Sequence, residues 1–139
     1  MERVFKLKTT MEEDNWNAEF ILSDSNFIEG VVFNETHDML DIMKGFYDKS
    51  FGGCTFTLAK SKYKYVLYAN NIEDVEYPMN NLNKKRDLIA ARYDIYGNYS
   101  TVNVMMEPSE KVEINELKSA INNCKIKIYS NGDRIRRIK

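Results

Sequence analysis

The only histidine of the chain, His37, limits the chemistry that the sequence can support. Nucleophilic catalysis usually needs an imidazole base next to the nucleophile and an acidic group that orients the imidazole. A triad could therefore be built only around His37, which Asp38 and Asp41 follow. At the start of a predicted helix these carboxylates would only solvate or charge the ring. We therefore expect no catalytic residues and no enzymatic activity.

The two cysteines, Cys54 and Cys124, lie far apart and form no closely spaced pair. A structural zinc ion needs four ligands, commonly in close pairs, so we expect no metal and no cofactor. Met1 is followed at once by a strand pattern rather than by a secretory signal. We therefore expect a cytoplasmic protein with two buried thiols.

One basic and aromatic segment has the composition of a surface that binds single-stranded nucleic acid. Lysines and tyrosines alternate over 60–65, and further basic residues occur at 84–86 and 134–139. Bases stack on tyrosine rings while lysines hold the phosphates. The sequence pI of about 5.9 argues against a dedicated nucleic-acid domain. Binding of single-stranded nucleic acid is thus the third of our hypotheses.

A set of tyrosines on predicted strands, with basic residues nearby, forms the candidate binding surface. Tyrosine and arginine combine a large contact area with polar tips and are frequent in binding hot spots. One face of each alternating strand should belong to the core and the other could recognise a partner. Half-buried sheet tyrosines with no binding role remain the alternative. The candidate binding residues are Tyr63, Lys64, Tyr65, Arg92, Tyr96 and Tyr99.

Most of the chain alternates between apolar and polar residues, as strands do. Strands are expected over 4–9, 16–22, 27–33, 54–58, 63–68, 88–96 and 100–106, with a short one at 75–77. A second helix is predicted at about 112–123, followed by a C-terminal hairpin over 125–138 that turns at Asn131-Gly132. The predicted fold is therefore a single α+β domain over 1–139, mainly antiparallel sheet, with two helices.

The first helix is predicted at about 35–50. Met39, Ile42, Met43, Phe46 and Tyr47 fall at helical spacing and form one apolar stripe. Acidic residues lie early in this segment and lysines late, as the helix dipole favours. The glycine at position 45 weakens this interpretation by about 1 kcal/mol relative to alanine.

The leading functional hypothesis is a small intracellular protein that binds and neutralises a protein partner, such as an immunity protein or a phage-encoded anti-defence protein. It depends on the missing catalytic residues, the tyrosine-rich strands, an acidic first half with a basic second half, and a composition typical of a low-GC bacterium or its phage. A small-molecule binder, for a nucleotide or cyclic nucleotide, is the alternative. We expect no membrane association, and self-association into a homo-oligomer stays open.

Overall fold

A computed structural model describes residues 2–9, 12–48, 50, 53–69, 85–109 and 114–130. Eight antiparallel strands form a closed barrel in which each strand pairs with the next along the chain and β8 pairs with β1. The strands are β1 (Arg3–Thr9), β2 (Asn17–Leu22), β3 (Phe27–Phe33), β4 (Met39–Asp48), β5 (Gly53–Leu58), β6 (Lys64–Ala69), β7 (Arg86–Tyr93) and β8 (Tyr99–Pro108). A short 3-10 helix (Glu12–Asp14) follows β1, and one α-helix, α1 (Ile114–Ser130), follows β8.

Alternate residues of every strand point into the barrel and fill it. Phe5 stacks on Phe20 with ring centroids 5.3 Å apart, and Phe56 stacks on Tyr65 at 4.9 Å. An eight-stranded barrel has an interior just wide enough for side chains. Its axis is accordingly occupied by large aromatic and aliphatic groups, all at most 2% exposed: Phe5, Leu7, Phe20, Val32, Met43, Tyr47, Phe56, Tyr65, Leu67, Val102 and Met106.

Two glycines let the strands approach each other inside the barrel. A Cβ on Gly30 would lie 2.6 Å from the Cβ of Phe20, and a Cβ on Gly45 would lie 2.7 Å from the Cα of Phe56. Real side chains do not come this close, so both positions need glycine, whose strand role is often such a close approach.

The helix α1 covers part of the outer surface of the barrel. Its buried residues Leu117, Ile121 and Cys124 pack in one cluster with outward-facing residues of β1 to β4, namely Val4, Ile21, Val31 and Ile42. Burying an aliphatic side chain of this size stabilises a fold by about 1.5–3 kcal/mol. At the positions that α1 covers, these strands are therefore apolar on both faces. No helix in the described part of the chain combines the length and hydropathy needed to cross a membrane.

The helix predicted at about 35–50 is wrong. Residues 34–38 form a turn, and Met39–Asp48 is strand β4. In β4, Met43 and Tyr47 point into the barrel, whereas Ile42 points outward beneath α1. Apolar residues on both faces of one strand imitate the spacing of a helix, which misled the prediction.

The mainly antiparallel sheet is confirmed, but the described residues form a closed barrel with one α-helix rather than an α+β domain with two. The second predicted helix is confirmed, and it continues through Ser130. The strand predicted at 125–129 is therefore wrong. The physical reason is that nucleation is the costly step of helix formation, so an established helix extends at little further cost. The rest of the predicted C-terminal hairpin, at 131–138, and the predicted strand at 75–77 lie outside the described residues.

Candidate functional site

The chain connections after β1, β3, β5 and β7 all lie at one end of the barrel, because successive strands run in opposite directions. We call it the Asp14 end, after the carboxylate of the 3-10 helix that is buried there. Five of the six candidate binding residues, all except the fully buried Tyr65, belong to the two connections at 59–63 and 94–98 or to the adjoining strand ends. The sequence prediction thus points to one end of the fold.

At this end Asp14 links distant parts of the chain. Its carboxylate accepts a hydrogen bond from the Tyr65 hydroxyl at 3.0 Å and one from Arg92 Nη1 at 2.7 Å. The Arg92 guanidinium also lies 4.7 Å from the ring centre of Tyr63 and 3.5 Å from an oxygen of the exposed Glu13. Arg92 and Asp14 are both largely buried, with side-chain exposures of 15% and 5%. The four contacts form a single polar cluster around Asp14.

Within the cluster, burial and the neighbouring charges shift the pKa values of Tyr65 and Arg92. Burial, followed by the negative charge of Asp14, raises the pKa of Tyr65 above its usual range. The phenol therefore stays a neutral donor at ordinary pH. Burial works against the charge of Arg92, but the hydrogen bond and charge of Asp14 outweigh it and raise the pKa of Arg92. These residues have partners of their own, so the cluster is built as a structural closure of the barrel end.

Three of the predicted binding residues, Tyr63, Tyr65 and Arg92, belong to this closure. Tyr65 is 1% exposed and points into the barrel, where its ring meets Trp16 edge-on at 5.7 Å. A nucleotide that stacked on Tyr65 and paired its phosphate with Arg92 would have to displace Asp14. The sequence could not show this, because Asp14 precedes its partners by 51 and 78 positions.

The other three predicted residues, Lys64, Tyr96 and Tyr99, face solvent on the outside. Lys64 is the register partner of Tyr93, and Tyr93 is the register partner of Tyr99. The rings of Tyr93 and Tyr99 are 5.7 Å apart. Tyr93 lies on one of the tyrosine-bearing predicted strands but was not among the six candidate binding residues, because its place beside Lys64 depends on the pairing of β6 with β7.

The segment from Tyr93 to Tyr99, which we call the aromatic hairpin, projects large side chains into solvent. Ile95, Tyr96 and Tyr99 are 69%, 82% and 70% exposed. Ile95 was not predicted, since an isolated aliphatic residue gives no signal in a sequence rich in strands.

Hydrogen bonds fix the turn of the aromatic hairpin. One oxygen of Asp94 accepts hydrogen bonds from the backbone N–H groups of Tyr96 at 2.8 Å and Asn98 at 3.0 Å. Gly97 adopts the left-handed conformation that such a turn requires, with φ at 85°. Desolvation opposes ionisation of Asp94, but these hydrogen bonds outweigh it and lower its pKa. The exposed side chains therefore stand on a turn whose shape is set by hydrogen bonds within the chain itself.

The remaining sequence candidates take structural positions. His37 lies in the turn between β3 and β4 and stacks on Phe33. Cys54 is buried inside the barrel, Cys124 lies on the buried face of α1, and no disulfide joins these two residues. Among the described residues, no group of three or more His, Cys, Asp or Glu side chains could hold a metal ion.

Comparison of the chain with protein-family models, curated proteins and solved structures finds no match.

Proposed function

We propose that this chain is a non-catalytic binding protein whose aromatic hairpin docks on a protein partner and neutralises it, as an immunity protein or a phage-encoded anti-defence protein would. One observation carries the proposal: Ile95, Tyr96 and Tyr99 are largely exposed on a hydrogen-bonded turn. Large apolar groups grouped in this way commonly mark interaction sites, whereas single exposed ones need no explanation.

The rigidity of the turn supports a binding role. Ordering a loop at an interface costs free energy that is subtracted from affinity, and a preorganised loop avoids that cost. The Asp94 carboxylate orders the turn through the N–H groups of Tyr96 and Asn98. Tyrosine has few rotatable bonds and is enriched in hot spots, so Tyr96 and Tyr99 are suited to act as anchors.

The packed interior also supports recognition by the outer surface. Tyr47, Phe56 and Tyr65 are at most 1% exposed and take up the space in which larger barrels hold ligands. The exposed aliphatic side chain of Ile95 fits an apolar protein pocket better than it fits a nucleobase. We place the action in the cytoplasm, where reducing conditions suit two buried cysteines that no disulfide joins.

The test is capture of a protein partner from the natural host, compared between matched variants. We expect Tyr96→Ser to weaken the captured complex by about 2 kcal/mol, or roughly thirtyfold, as loss of a hot spot does. Phe46→Ser is the matched control, because Phe46 is another exposed aromatic residue, on β4 and away from the aromatic hairpin. Cells that express the protein should survive the toxin or phage challenge, and cells with Tyr96→Ser should not. Equal losses for both variants, or no capture and no protection, would refute the proposal.

A second candidate, binding of single-stranded nucleic acid, has one specific observation in its favour. Lys60, Lys62 and Lys64 are exposed, and they lie on β6 and the β5–β6 connection, beside the aromatic hairpin. Tyr96 and Tyr99 could then stack bases between lysines that contact phosphates. Fluorescence anisotropy with a labelled oligo-dT tests this candidate. Binding that weakens steeply with added salt would support it, and the absence of binding at low salt would remove it.

A further inference from the structure

A groove runs along the outside of the barrel, beside the turn between β3 and β4. Its volume is about 430 Å³, within the range of small-molecule sites. Outward residues of β1 and β2, including Lys8 and Asn17, form its floor. Phe33 and His37 form one wall, and Met105 of β8 lies opposite.

The wall of the groove is an ordered pair of rings. Phe33 and His37 are stacked, with centroids 5.4 Å apart and planes inclined by 25°. The Asn34 carboxamide oxygen accepts hydrogen bonds from the N–H groups of Thr36 at 3.0 Å and Asp38 at 2.9 Å, which fixes the turn. Within it His37 has a φ of 63°, in the left-handed region that few side chains adopt. The imidazole is thus held in one place beside the groove.

The charges of the groove divide into two rows. In the row nearer the middle of the strands, Lys6 is the register partner of Glu19 on β2 and of Glu107 on β8. These two carboxylates counter the charge of Lys6. In the row nearer the Asp14 end, the exposed Lys8 has Asn17 on β2 and Met105 on β8 as register partners. Neither of these partners is a carboxylate. The row nearer the Asp14 end therefore offers the Lys8 ammonium and the Asn17 amide as hydrogen-bond donors, in the same groove as the stacked rings.

The third carboxylate of the groove, that of Glu35, accepts a hydrogen bond from the Asn15 amide at 3.2 Å. It thus already has one donor of its own.

We propose that this groove binds a planar aromatic molecule that carries one anionic group, such as a nucleoside monophosphate or an aromatic carboxylate. The ring lies against the Phe33–His37 pair, and the anion accepts charge-assisted hydrogen bonds from Lys8 and Asn17. The site is distinct from the aromatic hairpin. The four connections at the Asp14 end follow one another around the barrel, so the β3–β4 connection at 34–38, beside the groove, lies opposite the β7–β8 connection at 94–98.

The test is an NMR titration of the ¹⁵N-labelled full chain with two probes, adenosine monophosphate and indole-3-acetate. We expect saturable shifts of the amide signals of Lys8, Asn17, Phe33 and His37 with at least one probe. The probe that binds more tightly identifies the preferred combination of ring and anion. Adenosine, which lacks the anion, should bind about tenfold more weakly than its monophosphate if phosphate is preferred.

Variants separate the contributions of the anion and the ring. Lys8→Gln should weaken binding about tenfold, and Lys44→Gln, which changes another exposed lysine, should leave it unchanged. His37→Ala should also weaken binding by removing half of the stacked pair. Tyr96→Ser should have no effect, so that failure of this site and failure of the aromatic hairpin can be told apart.

Three outcomes would overturn the assignment: no shift with either probe, shifts confined to residues 93–99, or equal affinity for the native chain and Lys8→Gln.

Discussion

Replacing Arg92 by methionine should destabilise the barrel by about 3 kcal/mol. The substitution keeps much of the side-chain volume but removes the cation that lies 2.7 Å from the Asp14 carboxylate. Breaking a buried ion pair from one side costs about 3–5 kcal/mol, because it leaves an uncompensated charge. The lower end applies here, since Tyr65 still donates its hydrogen bond to Asp14 and the 15% exposure of Arg92 lets water approach.

The assay is urea unfolding followed by tryptophan fluorescence. The chain has one tryptophan, Trp16, and its ring contacts Tyr65 within the same cluster. Glu13→Gln is the matched control: its carboxylate also contacts Arg92 but is 81% exposed, so its loss should cost less than about 0.5 kcal/mol. Adding Asp14→Asn to Arg92→Met should restore part of the lost stability, because the buried charge is then gone.

If Arg92→Met cost no more than Glu13→Gln, the reasoning would be refuted, because the Asp14 carboxylate would then be satisfied without its cation.

Three further predictions test other parts of the fold. Gly45→Ala should lower the free energy of unfolding, measured by thermal unfolding, by about 3 kcal/mol or more, because the new Cβ would overlap β5. Gly97→Asn is the control and should cost well under about 1 kcal/mol, since Gly97 has open space around it and asparagine tolerates its φ. The raised pKa of Tyr65 means that its hydroxyl keeps its proton in the native state at a pH where the unfolded chain loses it, near pH 10. The free energy of unfolding should therefore fall as the pH rises above about 10. Urea unfolding on both sides of about pH 10 should show a shallower fall in stability for Tyr65→Phe than for the native chain. Asp41→Ala should cost about 2 kcal/mol and speed amide exchange at 60–61, because this buried carboxylate accepts hydrogen bonds from the backbone N–H groups of Lys60 and Ser61 in the β5–β6 connection, and from that of Ile42 on β4.

Strands whose outer face is polar could be predicted from the sequence. In β1, Phe5 and Leu7 alternate with Lys6 and Lys8, and the strand was predicted within one residue of its observed bounds. The bounds of β3 also agree with the prediction, although its outward residue Val31 is apolar and lies beneath α1. Local alternation carries this information, because one face of the sheet meets the core and the other meets water.

The segment that became β4 could not be predicted in this way. Whether Ile42 faces a core or solvent depends on α1, which lies far along the chain, and no local pattern shows that α1 covers it. Gly45 was the residue that argued for a strand in this segment. A glycine costs free energy inside a helix, whereas it is needed where two strands come as close as β4 and β5 do here.

The candidate site divides along the same line. The exposure of Tyr96 and Tyr99 follows from their position at the turn between the strands predicted at 88–96 and 100–106. The inward direction of Tyr65 and Arg92 depends on Asp14, which the sequence presents only as part of an acidic run ahead of Trp16. Partners so far apart in sequence cannot be found from local composition.

The position of the Asp14–Arg92 ion pair has a consequence for how the barrel closes. Seven of the eight strand pairings join consecutive strands, and only β1 with β8 joins the two ends of the sheet. Long-range closure of this kind must offset the larger loop entropy, so this seam is the pairing expected to form last and open first. An open seam would present two unpaired edges, which are templates for aggregation. Asp14 follows β1 and Arg92 belongs to β7, so their ion pair spans the seam and opposes its opening.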